Sequence, residues 1–387
     1  MKQYIPYSTQ CITKEDEKAI IEVLYSDFLT QGKTIGEFEA EINGYCGSEY
    51  AVALSSCTAG LHIVCKALGI SEDSLIWTSP NSFVASANCA LYLGANIDFI
   101  DIDLNTGLIS TLSLKEKLIV AEKLGKLPDI IIPVHYAGRS CNMEDIHLLS
   151  KEYGFKIIED AAHSLGAEYN DNTKVGSCKY SNATVFSFHP VKPITTGEGG
   201  VITTNDPILE EEIRLLISHG ITKNETKLID KNQPSWYYEM QQLGFHYRMT
   251  DLQAALGKSQ IGKLDEFIIK RREIANYYLN NLHNESIILP PESDLSGWHL
   301  FVIRVVDETI RDEFFEWMRS NNIGVNLHYI PIYRQPYYKQ FGFKAEDFTD
   351  MEKFYKSAMS IPIHPKLSNE DIDYIISLIN EFFKDKI

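Results

Sequence analysis

Between Tyr50 and Thr203 short apolar runs alternate with helix-like stretches, and no other feature restricts the fold as much. Strand-like runs fall at 50–54, 74–78, 97–100, 129–134, 156–158, 184–188 and 200–203. Helical patterning over 59–68, 83–93 and 143–153 separates several of them. Such alternation predicts an α/β fold with a mostly parallel central sheet and helices on both faces. Two helices, over 14–27 and 35–45, precede it, joined through the turn Leu29-Thr30-Gln31-Gly32. From about Thr250 the pattern changes to one long helix, Asp251 to roughly Leu282, then a strand at 300–306 and a helix at 311–321. The expected organisation is a large domain over 1–250 and a smaller C-terminal α/β domain over 251–387, led by the long helix.

A chain of 387 residues that is 44% hydrophobic is long enough for two such domains. Its net charge of −17 argues against a nucleic-acid partner. It leaves room for a phosphorylated small ligand, held by a local cluster of donors. Met1 to Pro6 lacks an apolar leader and no run approaches a membrane span, so no membrane partner is expected. The seven cysteines are scattered without a Cys-x-x-Cys pair. Reduced thiols in a cytoplasm are therefore expected rather than disulfides or a metal site.

Chemistry is concentrated at two strand ends. Lys192 follows the apolar run Ala183 to Phe188 and precedes a turn rich in Gly, Thr and Pro. Desolvation at such a place lowers a lysine's pKa, and the neutral amine is the nucleophile that forms a Schiff base with a carbonyl. Phe155 to Asp160 reads as a second buried strand, ending in carboxylates. If both strands belong to one sheet, Asp160 and Lys192 share its ligand-binding edge. A Schiff-base lysine with a carboxylate for a pyridinium nitrogen is what pyridoxal phosphate (PLP) requires. A helix-capping Asp160 and a solvated Lys192 fit the same spacing.

Other pieces carry similar pairs of readings. Leu54 to Leu61 joins a strand to a helix through small hydroxylated residues. Thr58 and Ala59 there suit a phosphate at a helix N-terminus, with Ser187 adding a hydroxyl, or an ordinary N-cap. Phe83 suits the face of a planar cofactor, or a core. Arg248, two residues after His246, suits a diphosphate or carboxylate, or an ion pair. His328 and Tyr329 lie in a polar aromatic stretch able to line a pocket, although a lone histidine also serves in cores.

Taken together, the chain closely resembles the DegT/DnrJ/EryC1/StrS family of PLP-dependent sugar aminotransferases over nearly its whole length. The similarity runs through Ile5-Pro6-Tyr7-Ser8, Leu29-Thr30-Gln31-Gly32, Ser56-Cys57-Thr58-Ala59-Gly60-Leu61 and Pro133-Val134-His135-Tyr136-Ala137-Gly138. It continues through Glu159-Asp160-Ala161-Ala162-His163, Ser187 to Gly200, and Arg248-Met249-Thr250-Asp251. The resemblance implies a fold-type I aminotransferase and a homodimer whose active sites lie at the subunit interface. It also implies a nucleotide-sugar substrate, with glutamate as amino donor.

By matching positions, Lys192 resembles the Schiff-base lysine and Asp160 the partner of the pyridine nitrogen. His163 would lie near the ring's O3′, Ser187, Thr58 and Ala59 at the phosphate, and Phe83 on the ring face. Arg248, His328 and Tyr329 are the expected substrate contacts. Where this chain has His246 the family usually has an Asn that reaches the other subunit's cofactor phosphate, and a histidine has a different reach.

Within the family, the turn Leu29 to Lys33, Tyr136-Ala137-Gly138 and His328 to Tyr333 are most similar to enzymes of pseudaminic acid synthesis. Those act on a UDP-linked 4-keto-6-deoxy-N-acetylhexosamine and install a 4-amino group. Aminotransferases for UDP-4-keto-arabinose or dTDP-keto-deoxysugars share several of these motifs. Deoxysugar dehydratases of the same fold carry histidine in place of Lys192, and a PLP-holding regulator without turnover is a further alternative.

Overall fold

Seven strands form one sheet: β1 Tyr50–Leu54, β2 Leu75–Thr78, β3 Asn96–Phe99, β4 Ile130–Ile132, β5 Lys156–Asp160, β6 Ala183–Ser187 and β7 Gly200–Thr204. They belong to a computed structural model that describes residues 3–384, so Met1 and Lys2 of the N-terminal hexapeptide lie outside the described residues. The spatial order is β1-β7-β6-β5-β4-β2-β3. The five strands from β3 to β6 run parallel, while β7 is antiparallel to both β6 and β1. Parallel strands covered on both faces read as continuous apolar runs, and Ile130, Ile131 and Ile132 are all buried. The result is the α/β fold expected from the alternation.

Register decides where the strands end. Asp160 on β5 lies opposite Val185 on β6, so both strands finish at one edge. The chain then turns back into β7 through residues 188–199, a closed loop that holds Lys192. Phe188 N–H donates to Gly199 O (2.9 Å) and Thr196 N–H to Phe188 O (3.1 Å). The Thr195 hydroxyl adds a bond to Phe188 O at 3.0 Å. An antiparallel return needs no crossover helix, which lets this loop stay short.

The helix Cys57–Ala67 begins against that edge, with Ser56 as its N-cap. A Cβ on Gly200 would stand 2.7 Å from Cys57 N and 2.8 Å from Phe186 O, so only glycine lets the helix start so close to the sheet.

The long helix expected over 251–282 is two helices, Asp251–Ile261 and Leu264–Asn281. Gly262 and Lys263 break it. Glycine is the weakest ordinary helix former, and the Lys263 ammonium is drawn to Asp16 (2.6 Å) and the Thr13 hydroxyl (2.8 Å). The helix expected over 83–93 is shorter, Ala85–Leu91, leaving Phe83 in the turn before it.

Two of the family-like motifs meet in space. The Asp251 carboxylate accepts from Gly32 N–H (2.8 Å) and Thr34 N–H (3.0 Å), capping the helix Lys33–Cys46 from a distant segment.

One hydrophobic core surrounds the seven-stranded sheet and takes in residues from 254–268 and from 332–358. A second gathers around an antiparallel sheet of Ile287–Ile288, Phe301–Val305 and Ala358–Ile361, with the helices Arg311–Ser320 and Asn369–Phe383 packed on it. Among the described residues no helix is long and apolar enough to cross a membrane.

Gly200→Ala should lower the denaturation midpoint by the equivalent of about 1–3 kcal/mol, because the added methyl meets backbone that cannot yield. Urea titration followed by fluorescence checks this, with Gly36→Ala as control, since a Cβ there meets nothing within 4 Å.

Candidate active site

At the edge where β5 and β6 end lies a cavity of about 560 Å³. Thr58, Phe83, Asp160, His163, Ser187 and Lys192 line it from the first 200 residues, and His328 and Tyr329 from far down the chain. Eight of the eleven expected site residues thus face one space.

Lys192 is only partly exposed and turns towards the cavity. Burial lowers its pKa to about 8, against the opposing pull of Cys57 and Asp160. Asp160 is buried, and its two oxygens accept from the Ser86 hydroxyl (2.5 Å) and Ala162 N–H (3.1 Å). Each oxygen retains a lone pair for a further donor.

Behind Asp160, the neighbouring Glu159 anchors β5. His135 Nε2 (2.6 Å), Tyr169 OH (2.7 Å) and Thr184 Oγ1 (3.0 Å) bond to its carboxylate, as does the Ser181 hydroxyl. Cys141 N–H points at His135 Nδ1 (3.1 Å), so the histidine's proton sits on Nε2 and is donated to Glu159. Burial alone would raise the Glu159 pKa, but these bonds outweigh it and hold the carboxyl below its usual range.

His163 and His328 are neutral. His163 Nδ1 accepts from Ala137 N–H (3.3 Å), which puts its proton on Nε2, 3.1 Å from Tyr329 OH. Burial, reinforced by Lys192, lowers its pKa well below the ordinary value. His328 is lowered to about 3 by the same two causes, and bonds to Ser360 (2.8 Å) and Asn326 (3.3 Å). Phe83 is 59% exposed and lines the cavity, so it is not a core residue.

Three expected residues stand apart. The Ala59 N–H is taken by Ser56 Oγ (3.1 Å), and Ala59 does not line the cavity, although Thr58 beside it does. Arg248 bridges to Leu54 on β1, its Nε buried without a hydrogen-bond partner. His246 is exposed and stacked on His219 at 5.3 Å. Neither Arg248 nor His246 lines this cavity.

Conversely, Ser86, His299, Tyr7 and Glu198 belong to the site beyond the expected residues. Ser86 holds Asp160, and the other three line the cavity. His299 sits alone in Gly-Trp-His-Leu, 136 positions from His163, and nothing local marks it. Tyr7 and Glu198 lie within family-like motifs, the signal that could have found them.

The arrangement presents a weakly basic amine, a hydrogen-bonded carboxylate and a helix N-terminus around one enclosed space. As pH rises through about 8 the Lys192 ammonium loses its proton and becomes nucleophilic. Amine-reactive labelling of Lys192, followed by peptide mass spectrometry, should be half-maximal near pH 8, against roughly 10.4 for a solvated lysine.

The model of the DegT/DnrJ/EryC1/StrS aminotransferase family matches residues 10–380. The UDP-4-amino-4,6-dideoxy-N-acetyl-beta-L-altrosamine transaminase of Campylobacter jejuni is 37% identical, over 96% of this chain and 95% of that one. Helicobacter pylori PseC, an aminotransferase involved in the biosynthesis of pseudoaminic acid, superposes with a TM-score of 0.90. It is 34% identical, over 99% of this chain and 100% of its own. A protein of Streptococcus pneumoniae assigned as a sugar aminotransferase, in its PLP form, gives a TM-score of 0.88 at 25% identity, over 99% and 100% of the two chains. Sequence and fold agree, and the chain belongs to the DegT/DnrJ/EryC1/StrS aminotransferase family.

Proposed function

We propose that this protein aminates C4 of a UDP-linked 4-keto-6-deoxy-N-acetylhexosamine, with PLP as cofactor and glutamate as donor, in the cytoplasm. The observation that carries this reading is Lys192, an enclosed amine with its pKa lowered to about 8, facing the same cavity as Asp160. The C. jejuni relative is named for a 4-amino sugar nucleotide, and replacing that amine by oxygen gives the 4-keto substrate.

The residues fit PLP. Asp160 has a lone pair for a pyridinium N–H, Phe83 offers its face at the cavity, and Thr58 and Ser187 bring hydroxyls to a helix N-terminus. The Ala59 N–H would join them by leaving its bond to Ser56. Bound there, the cofactor supplies the carbonyl that joins the amine and a ring that stores the electron pair during proton transfer.

The chain's own part is binding and proton movement. With a pKa of about 8, roughly a tenth of Lys192 is neutral at pH 7, enough for a nucleophile and base, while its conjugate acid remains a ready donor. Lys192 Nζ takes the proton from the donor's Cα and returns it on the other side of the exchange. The steps run in reverse on the keto sugar, which gives ping-pong kinetics. Asp160, held by Ser86 and Ala162, would accept a hydrogen bond from a bound ring nitrogen and favour its charged form, and His328 and Tyr329 would bound the sugar side.

Charge supports a homodimer. The cavity's carboxylates are Asp160 and Glu198 and its ammonium is Lys192, so the lining holds no guanidinium for a diphosphate. We infer that Arg248 and His246 serve the site of a second copy. The large domain over 1–250 would then carry the cofactor, and 251–387 the smaller lobe.

Lys192→Ala should abolish both the absorbance of the lysine-linked cofactor and the spectral change on adding glutamate. Retained turnover would sink the assignment. A panel of UDP- and dTDP-linked keto sugars with product NMR tests the sugar, where amination at C3 or a preference for dTDP would overturn the proposed substrate.

A further inference from the structure

Arg271 lies on the helix Leu264–Asn281, and its side chain is among the largest that are fully buried. One of its nitrogens, Nη1, donates to the carbonyls of Ile363 (2.9 Å), Trp298 (3.3 Å) and His299 (3.3 Å). The adjacent Arg272 donates from Nε to Ser296 O at 3.1 Å. A buried guanidinium bonded to backbone carbonyls is costly to desolvate, so this placement needs a reason beyond filling space.

The gripped segment, Ser296 to Leu300, crosses the turn at Ala137 and Gly138. Gly297 N–H donates to Gly138 O (2.8 Å) and Leu300 N–H to Ala137 O (3.2 Å). A Cβ on Gly138 would stand 2.7 Å from His299 N, so the two backbones touch. Ala137 and Trp298 have positive φ (60° and 45°), a conformation that a residue with a Cβ keeps only where its surroundings enforce it. The same Ala137 supplies the N–H that bonds to His163 Nδ1, and the His299 ring lies 4.4 Å from the His163 ring. His163 Nε2–H then faces the Tyr329 oxygen, leaving the phenol's own proton free to point into the cavity.

We propose that Arg271 is a positioning residue: by clamping Ser296–Leu300 onto the Ala137–Gly138 turn, it fixes His163 in its Nε2–H tautomer and so makes Tyr329 a hydrogen-bond donor to the bound ligand. The role lies in reach, not charge. Nη1 meets three carbonyls from the end of a long, planar and rigid group, whereas a lysine ammonium sits on a shorter, flexible stem. The proposal rests on the aminotransferase reading only in giving Tyr329 a ligand to serve, because the state of His163 is set by the protein alone.

The test uses the full chain with Arg271→Lys and Arg271→Met, each checked for native circular dichroism. In ¹⁵N-histidine spectra without cofactor, the wild-type chain should give His163 as a single Nε2–H tautomer, assigned by its loss in His163→Gln. Both folded variants should show mixed tautomers. With cofactor added, kcat should fall by up to about 100-fold while the sugar KM moves much less. A folded variant, Lys or Met, that keeps the single tautomer overturns the proposal. So does failure of both to fold, which would make Arg271 a stability residue alone. If the tautomer shifts but no aminotransferase activity exists even in the wild type, the functional reading fails while the positioning role stands.

Discussion

The parallel pairing of β5 with β6 is the constraint on which the site depends. With Asp160 opposite Val185, both strands finish at one edge, and the loop after β6 brings Lys192 to the same opening as Asp160. A slip by one residue would turn every side chain of a strand to the other face. Glu159 guards against such a slip, because its carboxylate is satisfied by four side chains deep behind the strand. Breaking that set would leave a buried charge without partners, so the network specifies a register rather than merely adding stability.

Burial then sets the chemistry. The same enclosure that lowers the Lys192 pKa to about 8 holds His163 and His328 neutral beside it. Neutral imidazoles next to an amine avoid the repulsion that would accompany several cations in one cavity, and each keeps one donor and one acceptor with fixed roles. The cost of desolvation is offset by neighbours such as Ala137 N–H and Ser360, supplied by quite different parts of the chain.

Much of this was legible in the sequence. The strand–helix alternation announced the sheet, and the small hydroxylated residues of Leu54 to Leu61 announced a helix start beside the candidate site. Where the structure departs from expectation, the cause is local. Gly262 lies inside an apolar-periodic stretch that predicts one helix, and glycine's weakness as a helix former lets the structure divide it into two. Ala85, rather than Phe83, starts its helix, which leaves Ser82 and Phe83 in a turn that lines the cavity. Arg248 and His246 were recognisable as chemistry-bearing residues, yet their side chains lie away from the cavity of their own chain.

By itself, the sequence determined the fold class and the motif order, and it marked Lys192 and Asp160 as candidates on chemistry alone. Periodicity and residue chemistry are properties of short stretches, and they survive without knowledge of what packs against them. Only the tertiary structure decided that Ser86 holds Asp160, that His299 lies on His163, and that Arg271 reaches the carbonyls behind both. These contacts join residues 74 to 136 positions apart or meet at a helix and a loop with no shared pattern. Long-range proximity comes from how the two cores close around the sheet edge, and no window of sequence contains it.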